Sequence, residues 1–156
     1  MTAPRLEINF DKILHNTATL TTRLMARGIS VTGVTKATLG NPEIADVLLQ
    51  AGVQGIGESR IENIEAMRQA GVNAEMILLR SPMMSQVDRV VAQVDISHNT
   101  ELDVINQLSI AASKTGRVHG VILMVELGDL REGIMPDDLE HTVRETLRFP
   151  NIRIRG

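Results

Sequence analysis

Three lysines occur in the chain, Lys12, Lys36 and Lys114, and one of them stands where chemistry gathers. Lys36 closes a β-branched run from Ile29, at the carboxyl end of the first strong strand, and sites in parallel α/β architectures lie at that end. Period-two alternation sets Lys36 on the face of Thr32 and Val34, with Val31, Gly33 and Thr35 on the other. An amine held among apolar walls has its charged form disfavoured, so its pKa falls and it becomes a competent Schiff-base nucleophile and proton carrier. A lysine that merely ends a strand and reaches to water is the plainer reading, and position alone leaves both open. Lys12 and Lys114 fall on helix surfaces.

Other groups gather at the same end if the strands are parallel. Ser59 reads as a helix cap through Ser59-Arg60-Ile61-Glu62, a capping box, with a ligand contact as a second role. Arg80 ends the strand Glu75 to Arg80, and a buried guanidinium there requires an anionic partner, whereas a surface arginine does not. His98 ends a further strand as a contact residue or as a local hydrogen-bonding group at a helix start. Arg131 lies in Gly128-Asp129-Leu130-Arg131-Glu132-Gly133, whose glycines permit tight geometry and whose arginine can bind an anionic oxygen; a plain surface turn is the alternative. Gly55-Ile56-Gly57 lacks the third glycine of a dinucleotide fingerprint, since Arg60 stands there, and close packing of a strand end on the next helix accounts for it. His15, His119 and His141 form no metal-ligand spacing with a carboxylate, so no metal is expected.

The elements that must position these groups alternate. A helix spans Asp11 to Arg27 and stops at Gly28. After the Lys36 strand, Asn41 caps a helix that begins at Pro42. Then come a strand over Val53 to Gly57, a helix with Ile61, Ile64 and Met67 inward, and the strand Glu75 to Arg80. Pro82 opens a helix with Met83, Val87, Val90 and Val91 inward, followed by a strand over Val94 to Ser97. Asn99 or Thr100 caps a helix carrying Leu102, Ile105, Leu108 and Ala112; Val118 to Leu127 is the longest strand. Pro136 opens the last helix, with Leu139, Val143 and Leu147, before a strand at Ile152 to Arg155. This βαβ spacing implies a parallel sheet with helices outside it. The fold class is α/β, either a small doubly wound domain or a (βα) barrel that stops after about six strands, since a closed barrel takes ~250 residues.

Composition narrows the partners. With 156 residues, 43% hydrophobic and 22% charged, the chain fits one domain over 1–156. No apolar run approaches the ~20 residues of a bilayer crossing, and Met1 to Leu6 holds no leader pattern, so no membrane and a cytoplasmic location are expected. A net charge of −3 and 1% aromatic residues give no basic stripe and little for bases to stack on, so no nucleic acid is expected. No cysteine is available as nucleophile or ligand.

Taken in order, Val34-Thr35-Lys36-Ala37, then Ala51-Gly52 with Gly55-Ile56-Gly57-Glu58-Ser59, then Glu126-Leu127 with the loop ending at Gly133, resemble the alanine-racemase N-terminal barrel, the fold type III pyridoxal-phosphate family. The resemblance runs through essentially the whole chain. Leu79-Arg80-Ser81-Pro82 and the Arg131 loop look most like the ornithine and lysine racemase branch. The resemblance implies a TIM-type (βα) barrel, truncated here, with pyridoxal 5'-phosphate joined to Lys36 as an aldimine and Arg131 near it; Ser59, Arg80 and His98 are expected beside the cofactor from their place at the same strand ends. It implies a racemase that abstracts and returns the α-proton of a small or basic amino acid, Lys36 serving one face. The family's tyrosine for the other face has no counterpart, because the chain has no tyrosine, and the second base is unassigned. The alternative is a non-catalytic pyridoxal-phosphate homeostasis protein on the same barrel. Later strands of the family supply the phosphate cradle, so residues 1–156 are expected to be part of a longer protein and inactive alone. An open sheet edge also favours association, and a homo-oligomer is expected.

Overall fold

A computed structural model describes residues 4–156; Met1 to Ala3, part of the stretch read for a leader, lie outside the described residues. Six strands, β1 (Thr32–Val34), β2 (Gly55–Glu58), β3 (Glu75–Leu78), β4 (Ile96–Asn99), β5 (His119–Leu123) and β6 (Ile152–Ile154), form one sheet in the order β1-β2-β3-β4-β5-β6. All five pairings are parallel. The helices are α1 (Phe10–Met25), α2 (Pro42–Gln50), α3 (Ile61–Gln69), α4 (Val87–Gln93), α5 (Leu102–Thr115) and α6 (Leu139–Thr146). A doubly wound sheet reverses its strand order once, which places helices on both faces. Here the order never reverses, so right-handed crossovers put every connecting helix on one side, as in a barrel wall.

Registry shows which residues share a face. Gly33, Ile56, Met76 and Leu78 turn toward the helices, as do Ser97 and Val121, and the core between sheet and helices is built from Ile56, Ile64, Met67, Met76, Val90, Ile105, Leu108 and Val121, all buried. The opposite, inner face carries Thr32, Val34, Gly55, Gly57, Ile77, Ile96, His98, Gly120 and Ile122. The alternation expected around Lys36 holds: Thr32 and Val34 are exposed on the inner face while Gly33 and Thr35 are buried. Gly55 and Gly57 do not serve helix packing as expected. Side-chain carbons there would lie 3.0 Å from the Glu75 carbonyl oxygen and 3.2 Å from the Leu79 side chain, so the glycines make room for Leu79 and for the close approach of β3 on the inner face.

Several local expectations hold and others shift. Asn41 caps α2 through Ile44 N–H (3.0 Å) with Pro42 at the first helical position. Ile61, Ile64 and Met67 are buried as expected. Ser59 is not the α3 cap: Arg60 occupies that position without a side-chain cap bond, because the Ser59 hydroxyl lies on the Glu58 carboxylate (3.2 Å). Neither Asn99 nor Thr100 caps α5; Glu101 takes that position, since the Asn99 amide is turned back onto the Ser97 carbonyl (2.7 Å) and Thr100 Oγ1 meets Ser81 Oγ (3.3 Å). Met83 and Leu147 are exposed rather than inward: a 3-10 turn at Met84–Gln86 precedes α4 and leaves Met83 outside the helix, and α6 ends before Leu147. Strand β5 stops at Leu123, and its expected continuation is reduced to a single bridge between Val125 and Ile134.

On the helix side of β4 and β5 lies a buried polar chain. Ser97 Oγ meets His119 Nε2 at 2.8 Å and accepts from the Asn99 amide at 3.0 Å. The His119 ring also bonds the Val94 backbone carbonyl, and burial pushes its pKa down to about 4 against the opposing charge of Asp95. Folding thus favours the neutral ring. The stabilisation is complete above the unfolded value of 6.5 and is lost as pH falls from there through about 4, a span worth ~3 kcal/mol. Urea unfolding across this range is expected to show that loss in the unaltered protein and a flatter profile in His119→Gln; parallel profiles would remove His119 as the cause.

Candidate functional site

The parallel register brings the loops after every strand to one end of the sheet. Lys36 lies there, two residues beyond β1 rather than inside it, at the start of a 3-10 turn over Lys36–Thr38. The ladder makes one more bond, Thr35 N–H to the Gly57 carbonyl (3.0 Å), and then stops because the Thr35 carbonyl is taken by the Thr38 and Gly40 amides (2.9 and 3.2 Å). Leu39 and Gly40 both adopt left-handed conformations, φ 54° and 66°. A side-chain carbon on Gly40 would sit 2.7 Å from Asn63 Cβ, so glycine is required both by conformation and by the approach of α3. Lys36 is exposed, and its amine has neither ion-pair nor hydrogen-bond partner among the described residues.

Behind this turn sits the carboxylate of Glu58, which the strand order groups with Ser59 and Arg60 beside Lys36 and which the structure turns to the helix side instead. Glu58 is fully buried. Its Oε2 accepts from Thr35 Oγ1 (3.1 Å), and its Oε1 from the Ser59 N–H (2.6 Å) and hydroxyl (3.2 Å). Alternation within β2 sets Glu58 on the helix-side face of Ile56.

Arg80 lies two residues past the end of β3, exposed, not at the strand end expected. The ladder closes at Leu79, whose amide bonds the Glu58 carbonyl (2.8 Å). Arg80 and Ser59 come together in a cleft of about 440 Å³ that also includes Arg60, Ser81 and Met83. His98 is the third residue of β4, half-buried on the inner face. Burial lowers its pKa, with the nearby charge of Glu132 acting in the opposite direction. Glu132 belongs to the Arg131 loop, so that loop and His98 share one neighbourhood. Lys36 lies at the β1 edge and lines neither the Ser59–Arg80 cleft nor the other cavities.

The loop around Arg131 is folded on a second buried carboxylate. Glu126 accepts from the backbone N–H groups of Leu130 (3.0 Å) and Gly128, and these bonds, Leu130 first, hold its pKa below the usual carboxylate range. The Glu126 amide donates to Ile134 (2.9 Å), closing the loop. Gly133 is at φ 149°, and a side-chain carbon there would lie 2.5 Å from the Glu126 nitrogen. Arg131 itself is exposed. This end of the sheet carries a guanidinium on a fixed loop, a half-buried imidazole and an exposed amine, groups whose chemistry suits an anionic ligand.

The family model described as "Alanine racemase, N-terminal domain" matches residues 8–156. The chain is 39% identical to lysine racemase of Thermotoga maritima over its full length and 43% of that protein. It is 37% identical to ornithine racemase of Acetoanaerobium sticklandii over 98% of this chain and 43% of that protein. It thus spans less than half the length of these curated relatives. Among solved structures, alanine racemase of Clostridium difficile superposes with TM-score 0.83 at 18% identity over 93% of this chain and 39% of its own. PipY of Synechococcus elongatus, solved without and with PLP, superposes with TM-scores of 0.80 and 0.79 at 21% identity over 92% of this chain and 68% of its own. These likenesses establish the barrel fold. No helix among the described residues is long and apolar enough to cross a membrane.

The loop geometry yields a direct expectation. Gly133→Ala is expected to cost on the order of 1–3 kcal/mol and to speed amide exchange at Gly128 and Leu130, while Ile122 of β5 keeps its protection. Unchanged exchange in the loop would show that Glu126 does not hold it.

Proposed function

Because the chain belongs to the family of the alanine racemase N-terminal domain, we propose that residues 1–156 are the lysine-bearing part of a pyridoxal-phosphate-dependent racemase barrel acting on lysine- or ornithine-type amino acids. The observation that carries the reading is Lys36: an unpaired amine just past the end of an inner-face strand, in a turn whose backbone is tied down on both sides. The identity of the two curated relatives supports the basic amino-acid class.

The residues present fit the cofactor's chemistry. Lys36 would hold it covalently through its ε-amine, which is exposed just past the end of β1. Arg131, Arg80, Ser59 and the imidazole of His98 would hold its anionic and polar edges; Ser59 can serve only with the hydroxyl capacity left after its bond to Glu58. Bound pyridoxal phosphate supplies an electron sink that makes a Cα proton acidic. When free of the cofactor, the Lys36 nitrogen would take or return that proton on its own face, and a proton returned on the opposite face would invert the centre. The group serving that opposite face lies outside this assignment. A homo-oligomer completing the site is part of the same proposal.

Borohydride reduction of the cofactor-loaded complete protein, followed by peptide mapping, is expected to label the peptide that holds Lys36. Label mainly at other lysines would contradict the assignment. Arg131→Ala is expected to weaken cofactor retention roughly tenfold with thermal stability unchanged, because the side chain is exposed on a loop that Glu126 and Gly133 hold without it. A loss of folding instead would make Arg131 a structural turn residue.

A further inference from the structure

We propose that Glu58 is a positioning residue for Lys36, holding the turn from which the amine projects; this rests on the reading of Lys36 as the cofactor lysine. A fully buried carboxylate is costly unless donors surround it, and an apolar residue would fill the same place beside Ile56 and Leu78 without that cost. Glu58 has no cation within ion-pair distance among the described residues. Its three donors come instead from Thr35 and Ser59, the residues that follow β1 and β2. The side chain therefore ties together the two strand ends where the ladder stops.

Thr35 is the pivot of the Lys36 turn. Its carbonyl receives the Thr38 amide (2.9 Å), the Thr38 hydroxyl (2.9 Å) and the Gly40 amide (3.2 Å). On the sheet side it is fixed by its own N–H to Gly57 and by its hydroxyl to Glu58 (3.1 Å). Thr35 and Glu58 lie buried on the helix side, whereas Lys36 is exposed beyond the strand end. Glu58 thus acts on Lys36 through the backbone of Thr35 and not by touching the amine.

The test uses the complete protein and measures borohydride-trapped capture of pyridoxal phosphate at Lys36, with Lys12 and Lys114 of the same molecule as internal references. E58A leaves the Thr35 hydroxyl and the Ser59 amide without their acceptor, and it is expected to lower Lys36 capture relative to the references about tenfold or more, since small misplacements of a reacting group have effects of that size. E58Q keeps an oxygen for Ser59 and turns an amide toward Thr35, whose hydroxyl then accepts, so capture is expected to stay within about threefold of the unaltered protein. T35V removes only the hydroxyl and carries the same test if E58A does not fold; it is expected to behave as E58A. Amide exchange at Thr38 and Gly40 is expected to rise in E58A and T35V and not in E58Q. Folded E58A or T35V protein with Lys36 capture unchanged would overturn the proposal alone. An unaltered protein that shows no preference for Lys36 over Lys12 and Lys114 would overturn the cofactor-lysine reading and this proposal with it.

Discussion

The structure depends on one constraint, the unbroken parallel register of six strands taken in sequence order. Each right-handed crossover returns the chain to the same edge, so all connecting helices pack on one face and all post-strand loops emerge at one end. The hydrophobic core is then confined between sheet and helices, with Ile56, Met76 and Val121 on the strands facing Ile64, Val90 and Leu108 on the helices. The other face carries Gly55, Gly57 and Gly120 among Val34, Ile77, Ile96 and Ile122, with His98 toward its carboxyl end. The inner face and the packed core are thus separated by alternation alone.

Loops at that end would be loose if only their short backbone contacts held them, and two buried carboxylates supply the missing order. Glu58 joins the ends of β1 and β2 through Thr35 and Ser59, and Glu126 gathers the amides of Gly128 and Leu130 beneath the Arg131 loop. Both accept from hydroxyl or amide donors and neither is neutralised by an arginine or lysine among the described residues. Fixed loops of this kind place a free amine and a free guanidinium without engaging either charge. The cationic groups at this end, Lys36, Arg80 and Arg131, remain available because their surroundings were organised by other means.

Much of this was legible in the sequence because it rests on local physics. The alternation of Val34 and Lys36 against Gly33 and Thr35, the Asn41-Pro42 helix start and the apolar spacing of Ile61, Ile64 and Met67 each follow from one element's own geometry. Other features depend on a neighbour that the sequence does not display. Ser59 has the residue type and spacing of a cap, yet the adjacent Glu58 draws its hydroxyl away. Asn99 is drawn back to Ser97 in the same way. The end of β1 could not be seen because the Thr35 carbonyl bonds forward to Thr38 and Gly40 instead of continuing the ladder. Gly55 and Gly57 were assigned to helix packing when register places them on the inner face. The family resemblance carried what position alone left open, the choice between an anchored reactive lysine and a solvated one.

In the racemase proposed above, a proton moves at the α-carbon of a basic amino acid under the control of Lys36. The most direct measurement is solvent deuterium uptake into a single enantiomer of lysine or ornithine, incubated in heavy water with the cofactor-loaded complete protein and followed by mass spectrometry together with chiral chromatography. The account predicts deuterium at Cα accompanied by the opposite enantiomer, both abolished in Lys36→Ala. Cofactor bound at Lys36 with neither exchange nor inversion of either amino acid would contradict it and would favour a carrier on the same barrel.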